Sequence, residues 1–127
     1  MPPILLRSLR PDFMLGTHSF NKNQPFLVLK TDYYDNAFAG MLEWEGHLTE
    51  DLLTLFGQEN RVQELSQRKW GDMVIKNKDT RVLLDFDGNI ALVYAFKDQR
   101  TLIITTSEDT LLEVSRRLDL VQEKRSE

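Results

Sequence analysis

The sequence has no cysteine, which excludes disulfides, thiolate metal ligands and thiol nucleophiles. It does not fix a compartment, since exported proteins can also lack cysteine. Glycine and proline are scarce, six and four in 127 residues. No glycine-rich phosphate loop is present, and the two best helix starts carry Asp32, Asp35, Glu108 and Asp109, whose charges repel the phosphate that a bare helix end attracts. Positive charge is not in excess: the formal net charge is -4, so there is no electrostatic case for nucleic acid or an anionic membrane surface. Long apolar runs are also missing, so no segment is expected to span a bilayer, and Met1-Pro2-Pro3-Ile4-Leu5-Leu6 is too soon interrupted by Arg7 to serve as a signal peptide.

What is present suits one globular domain. A hydrophobic content of 41% with 28% charged residues, over 127 residues, can build a core without a disulfide or a structural metal. The organising stretch runs from residue 81 to 118. Arg81 to Phe86 and Asn89 to Phe96 alternate or cluster apolar residues around Asp87-Gly88, a pair that suits a type I′ hairpin turn. Lys97 to Arg100 then turns the chain into Thr101 to Thr106. Ser107 is placed to cap a helix whose first turn holds Glu108 and Asp109, and Leu111, Leu112, Val114 and Leu118 follow at helical spacing.

In chain order, residues 1–12 are expected as an N-terminal extension with a short helical turn ending before Pro11. A hairpin of Met14 to Phe20 and Pro25 to Thr31 follows across the polar Asn21 to Gln24. The uninterrupted Phe26-Leu27-Val28-Leu29 suits a strand inside the sheet. Asp32 can cap a helix carrying Ala37, Phe38, Met41 and Leu42. Gly46-His47 is expected to interrupt it, with a fresh start at Thr49-Glu50-Asp51 and an end at Gly57. A short exposed helix is placed near Asn60, Met73-Val74-Ile75 reads as a strand or an extended link, and 122–127 is a polar tail.

The expected fold is therefore α+β: a mainly antiparallel sheet of about five strands, with the helices at Asp32 to Phe56 and Glu108 to Leu118 on its one covered face. Similar offsets in Phe20 to Asp32 and Phe96 to Glu108 leave open two related ββα halves or a chance repetition of hairpin chemistry. The expected core is Leu27, Leu29, Phe38, Leu42, Leu83, Leu92, Tyr94, Ile103, Leu111 and Val114.

No complete catalytic or metal constellation emerges. Asp85-Phe86-Asp87-Gly88-Asn89 shares an Asp-x-Asp-Gly fragment with calcium loops, but it lacks the third oxygen ligand, and Tyr94 stands where the bidentate glutamate belongs. A hairpin turn accounts for it. Ser66-Gln67-Arg68-Lys69 matches a Ser-x-x-Lys nucleophile pattern without the companion motifs such a site needs. His18 and His47 are too few for a structural zinc site, even with help from Glu43 or Glu45. Those two carboxylates are two residues apart on a helix, do not face each other, and read as a solvated face. No cofactor is implied, and the chain reads as a non-enzyme, with a hydrolase as the competing enzyme hypothesis.

The cluster Tyr33, Tyr34, Phe38 and Trp44 offers two readings: an interface, with Tyr33, Tyr34 and Trp44 as its contact residues, or a helix whose Phe38 and Trp44 are core. The expected function is protein binding, with self-association its simplest form, because a sheet covered on one face leaves an open face and free edges. A small-ligand-sensing module is the alternative.

Finally, Phe13-Met14-Leu15-Gly16-Thr17-His18-Ser19-Phe20, Asn23 to Lys30, Ala37 to Glu45, Val74 to Leu83 and Thr101 to Thr106 together resemble an uncharacterised family of proteins from candidate-phyla bacteria. In that family the domain follows one N-terminal transmembrane helix and a linker. The resemblance covers nearly the whole chain. It implies a soluble domain cut from a membrane anchor, an artificial Met1 and an extracytoplasmic, cell-envelope location; it implies no activity and no functional residues.

Overall fold

The computed structural model describes the backbone of residues 9–18 and 24–126, and side chains from 24 to 120. Six strands form one sheet: β1 (Leu9–His18), β2 (Gln24–Thr31), β3 (Trp70–Ile75), β4 (Lys78–Leu84), β5 (Ile90–Asp98) and β6 (Thr101–Thr105). Their order is β1-β2-β6-β5-β4-β3, and every neighbouring pair is antiparallel. The helices are α1 (Tyr34–Leu55), the short α2 (Val62–Leu65) behind a 3-10 turn at Glu59–Arg61, and α3 (Glu108–Ser126). This is the α+β, antiparallel class that the sequence indicates. The strand beyond the expected five is β3, whose Met73 to Ile75 the sequence left open as strand or link.

The expectation of one covered face needs correction. Along a strand, alternate side chains point to opposite faces. Leu27, Leu29, Leu83, Leu92, Tyr94, Leu102 and Ile104 pack on one face with Ala37, Met41, Trp44, Leu48 and Leu52 of α1. Val28, Val82, Val93, Ala95 and Ile103 pack on the other with Leu111 and Val114 of α3. Each of the central strands β2, β6 and β5 is therefore buried on both sides, as their nearly unbroken apolar runs require. The two ββα units also fail to form symmetric halves. A two-fold between the adjacent antiparallel strands β2 and β6 must stand perpendicular to the sheet and would keep both helices on one face.

The helix at α1 is also longer than expected. It runs through Gly46-His47 without a break. A glycine costs a helix interior about 1 kcal/mol against alanine, and the stripe Ala37, Met41, Trp44, Leu48 and Leu52 is buried on either side of it. At about 1.5–3 kcal/mol for each large side chain buried, that stripe outweighs the glycine. The same stripe explains two core expectations that fail. Phe38 and Leu42 each sit one position, or about 100°, round the helix from a stripe residue, and they stay 39% and 41% exposed. The other eight expected core residues are buried.

The end of α1 is as expected. Gly57 takes φ +74, and the amides of Gly57 and Gln58 reach back to the carbonyls of Thr54 and Leu53, a Schellman closure that needs a left-handed residue. Ser107 caps α3, its Oγ accepting from the Thr110 amide at 3.2 Å. The start of α1 differs: Tyr33 is the N-cap residue and makes no side-chain cap bond, while Thr31 Oγ1 accepts from the Tyr33 amide at 3.1 Å.

The turn at 85–89 is not the expected two-residue type I′ hairpin. β4 stops at Leu84, Gly88 takes φ +84, and Asp85 Oδ1 accepts from the amides of both Asp87 and Asn89 at 2.9 Å. The Asp85 carboxylate thus organises a longer five-residue loop. The type I′ geometry occurs instead between β3 and β4, where Lys76 and Asn77 have φ 50 and 66.

At the termini, β1 begins at Leu9, so residues 9–12 belong to the sheet and not to an extension; the strand carries Pro11 across a register irregularity between Leu9 and Phe13, on an edge where proline is tolerated. The backbone of 122–126 continues α3 and is not a separate tail. The expected turn before Leu9, the loop residues 21–23 and the side chain of His18 lie outside the described residues.

Candidate functional site

The ladder between β4 and β5 ends early. Its register runs from Leu84 and Ile90 to the pair Arg81 and Tyr94. Beyond it, Lys78 to Thr80 stay with β3 while Ala95 to Asp98 stay with β6. The sheet forks there, and the β3–β4 hairpin tip stands away from β5. Alternation along the strands fixes which backbone groups face the fork. The two-residue turn closes on Ile75 and Lys78, so Lys78, Thr80 and Val82 turn their amides and carbonyls toward β3. Asp79 and Arg81 then turn theirs toward β5, and Asp79 with Phe96 is the next pair that would have bonded. Both residues line a groove of ≈620 Å³ between the parted strands and the first half of α1.

The head of this groove is a polar network. Arg81 presents its planar fork to Glu45, Nε to Oε2 at 2.8 Å and NH2 to Oε1 at 2.7 Å, and its NH1 donates to Asp72 Oδ1 at 2.9 Å. The Tyr94 hydroxyl donates to Glu45 Oε2 at 2.5 Å. Charge-assisted, two-pronged bonds of this kind are the strong ones. They tie α1 to β3, β4 and β5 at the point where β4 and β5 part. Burial, reinforced by the bond to Glu45, pushes the Tyr94 hydroxyl well above the ordinary tyrosine range. The carboxylate of Glu45 likewise holds the Arg81 guanidinium charged more firmly than a free arginine, against the opposing effect of burial.

One wall of the groove is aromatic. Tyr34 meets Phe96 edge-on at 4.9 Å between ring centres, and Phe38 lies 6.1 Å from Tyr34 and 6.2 Å from Phe96. The opposite wall is the hairpin tip, where Val74 is 67% exposed. Strand alternation puts Asp72, Val74, Asp79 and Arg81 on the α1 side of the sheet, and Lys78 on the α3 side. Lys78 Nζ donates across the fork to the Lys97 carbonyl at 2.8 Å. Lys97 turns to α3, with Asp119 Oδ1 at 2.5 Å and Asp98 Oδ2 at 3.4 Å. Burial pulls its ammonium down, but these two carboxylates outweigh that and hold it above its ordinary value.

The residues singled out in the sequence are distributed unequally. Tyr34 lines the groove, and Tyr33 is exposed beside it at the helix start. Trp44 is not an interface residue: it is buried in the α1 core, with its indole Nε1 donating to Asp51 Oδ2 at 2.7 Å one face-repeat along the helix. Glu45 is not part of a solvated face, since its partners Arg81 and Tyr94 lie far away in sequence; Glu43 is exposed. His47 and Ser66 are exposed. Asp85 is occupied by turn amides and by Arg61 at 3.7 Å. Among the described residues, no group of three or more His, Asp or Glu side chains is arranged to hold a metal ion, and no helix is long and apolar enough to cross a membrane.

No family model matches the chain, and neither a curated protein nor a solved structure matches it.

Proposed function

We propose that this chain is a non-catalytic binding domain that holds a protein partner in the groove at the fork of its sheet. We place it outside the cytoplasm, at the cell envelope, on the membrane anchor that its resemblance implies. The observation that carries the binding reading is the fork itself. Backbone groups of Asp79 and Phe96 face a groove rather than each other, between an exposed Phe38 on one lip and an exposed Val74 on the other. Unpaired strand backbone beside exposed apolar side chains is what strand-mediated recognition uses. The fork takes over the role expected of an open sheet face, because α1 and α3 cover both faces of the central strands.

A non-enzymatic role is supported by the state of the groove's polar side chains. Glu45, Arg81 and Tyr94 satisfy one another, and burial with the bond to Glu45 keeps the Tyr94 proton on well above the ordinary tyrosine range, so that hydroxyl is not poised to exchange a proton near neutrality. The same saturation at the head of the groove counts against small-ligand sensing, which uses several convergent polar groups left available for the ligand, whereas here the Asp79 carboxylate stands apart from that network.

Photo-crosslinking in the native cells tests the reading. With a benzophenone side chain in place of Phe38 or Val74, light is expected to join the domain to another protein, a second copy included. The same group in place of Phe86, 63% exposed on the 85–89 loop, should not. Equal yields from all three positions, or none from the two lips, rule the groove out as the binding surface.

A further inference from the structure

We infer that the segment taken by the groove is extended and carries a bulky apolar side chain beside a lysine or arginine. This deepens the protein-binding reading above and rests on it.

Three observations fix the chemistry. The first is backbone: Asp79 on β4 and Phe96 on β5 direct amides and carbonyls at the groove, so an extended chain laid along it can bond either strand edge. A helix, whose own backbone groups are internally satisfied, could not use them. The second is the wall of Tyr34, Phe38 and Phe96, whose rings are closed on one another at 4.9–6.2 Å and present edges and faces to an apolar side chain, not a cage for one ion.

The third is charge. On the α1 side of the fork three carboxylates, Glu45, Asp72 and Asp79, face the single guanidinium of Arg81, which is already bonded to the first two. The Asp79 carboxylate is exposed, with no cation on it among the described residues. Lys78 and Lys97 also line the groove, but their ammonium groups are committed elsewhere: Lys78 reaches through the fork to the Lys97 carbonyl, and Lys97 is held by Asp119 on the α3 side. On the α1 side Glu45, Asp72 and Asp79 outnumber Arg81, so that side is net negative, and a partner segment bearing a cation next to its apolar anchor complements it, whereas an acidic one is repelled.

Two blocked pentapeptides, Ac-Thr-Lys-Phe-Lys-Thr-NH2 and Ac-Thr-Glu-Phe-Glu-Thr-NH2, serve as probes in an NMR titration of the isotope-labelled chain. The basic peptide is expected to shift the amides of Asp79, Phe96 and Tyr34, and to bind about two- to fivefold more tightly than the acidic one, the size of one exposed charge pair. Asp79→Asn should remove most of that preference, and Phe38→Ala should weaken both peptides; both side chains are exposed, so neither change endangers the fold. Equal binding of the two peptides, shifts confined to the outer edge of β3, or no shifts at about 10 mM peptide overturn the inference. Shifts that depend on protein concentration without peptide identify a second copy as the occupant and overturn it too. The crosslinks from positions 38 and 74 are independent of peptide charge, so a failed titration with crosslinks retained removes only this inference.

Discussion

Glu45, Arg81 and Tyr94 hold the head of the groove, and their behaviour with pH follows from their contacts. An unfolded tyrosine loses its proton near pH 10. In the folded chain burial, and then the bond to Glu45, keeps the Tyr94 proton on well above that value. Above about pH 10 the native state thus holds a proton that the unfolded chain has released, so stability falls as pH rises. Lys97, also raised, adds to the same alkaline loss. Tyr94→Phe should make the decline between pH 9 and 11 shallower in urea-denaturation midpoints while lowering stability at pH 7; an unchanged alkaline slope would show that the hydroxyl is not held as described. Arg81→Ala, which leaves the half-buried Glu45 and Tyr94 without their cation, should cost about 2–4 kcal/mol at neutral pH. A loss under about 0.5 kcal/mol, typical of surface ion pairs, would mean the network is solvent-screened. None of this network was legible in the chain. Glu45 resembled a solvated acid because helical spacing separates it from Glu43, and its true partners are strand residues 36 and 49 positions away. Trp44 misled for a related reason: an indole suits an interface or a core equally well, and only the stripe through Met41 and Leu48 decides between them.

Single elements carry tests with opposite signs. Gly46 lies in the interior of α1, and nothing stands within 4 Å of where a methyl group would go. Gly46→Ala should therefore stabilise the chain by about 0.5–1 kcal/mol, visible as a raised denaturation midpoint. A destabilisation would favour the two-helix arrangement that the Gly46-His47 pair suggests in sequence. Gly57 has equal room for a methyl group but φ +74. There alanine should cost about 1 kcal/mol, from the left-handed backbone alone. Two helix ends, unlike the helix middle and the start of α1, were legible: the turns at Gly57 and Ser107 are closed by bonds spanning three to five positions. Hairpin geometry was legible only in place. The turn at Asp87-Gly88 was visible, but its departure from type I′ depends on the Asp85 carboxylate gathering two amides, a contact that dipeptide preferences do not encode.

Across the whole molecule, the antiparallel α+β class follows from apolar runs, turn residues and caps, all local signals. The placement of α1 and α3 on opposite faces does not, although one clue was available: Phe26 to Leu29, Leu92 to Ala95 and Leu102 to Ile104 are apolar at successive positions, and strands like these are covered on both sides. The fork lay beyond reach, because the point at which β4 and β5 part is set by how the Arg81 network and the two hairpins pack together. Amide hydrogen exchange on the unliganded chain tests the fork directly, since exchange reads whether individual backbone groups are bonded. The Asp79 and Phe96 amides should exchange far faster than those of Arg81 and Tyr94, one step back along the same strands. If Asp79 and Phe96 are protected to the same degree as Arg81 and Tyr94, the ladder continues past its assigned end, and the groove has no free backbone to offer a partner.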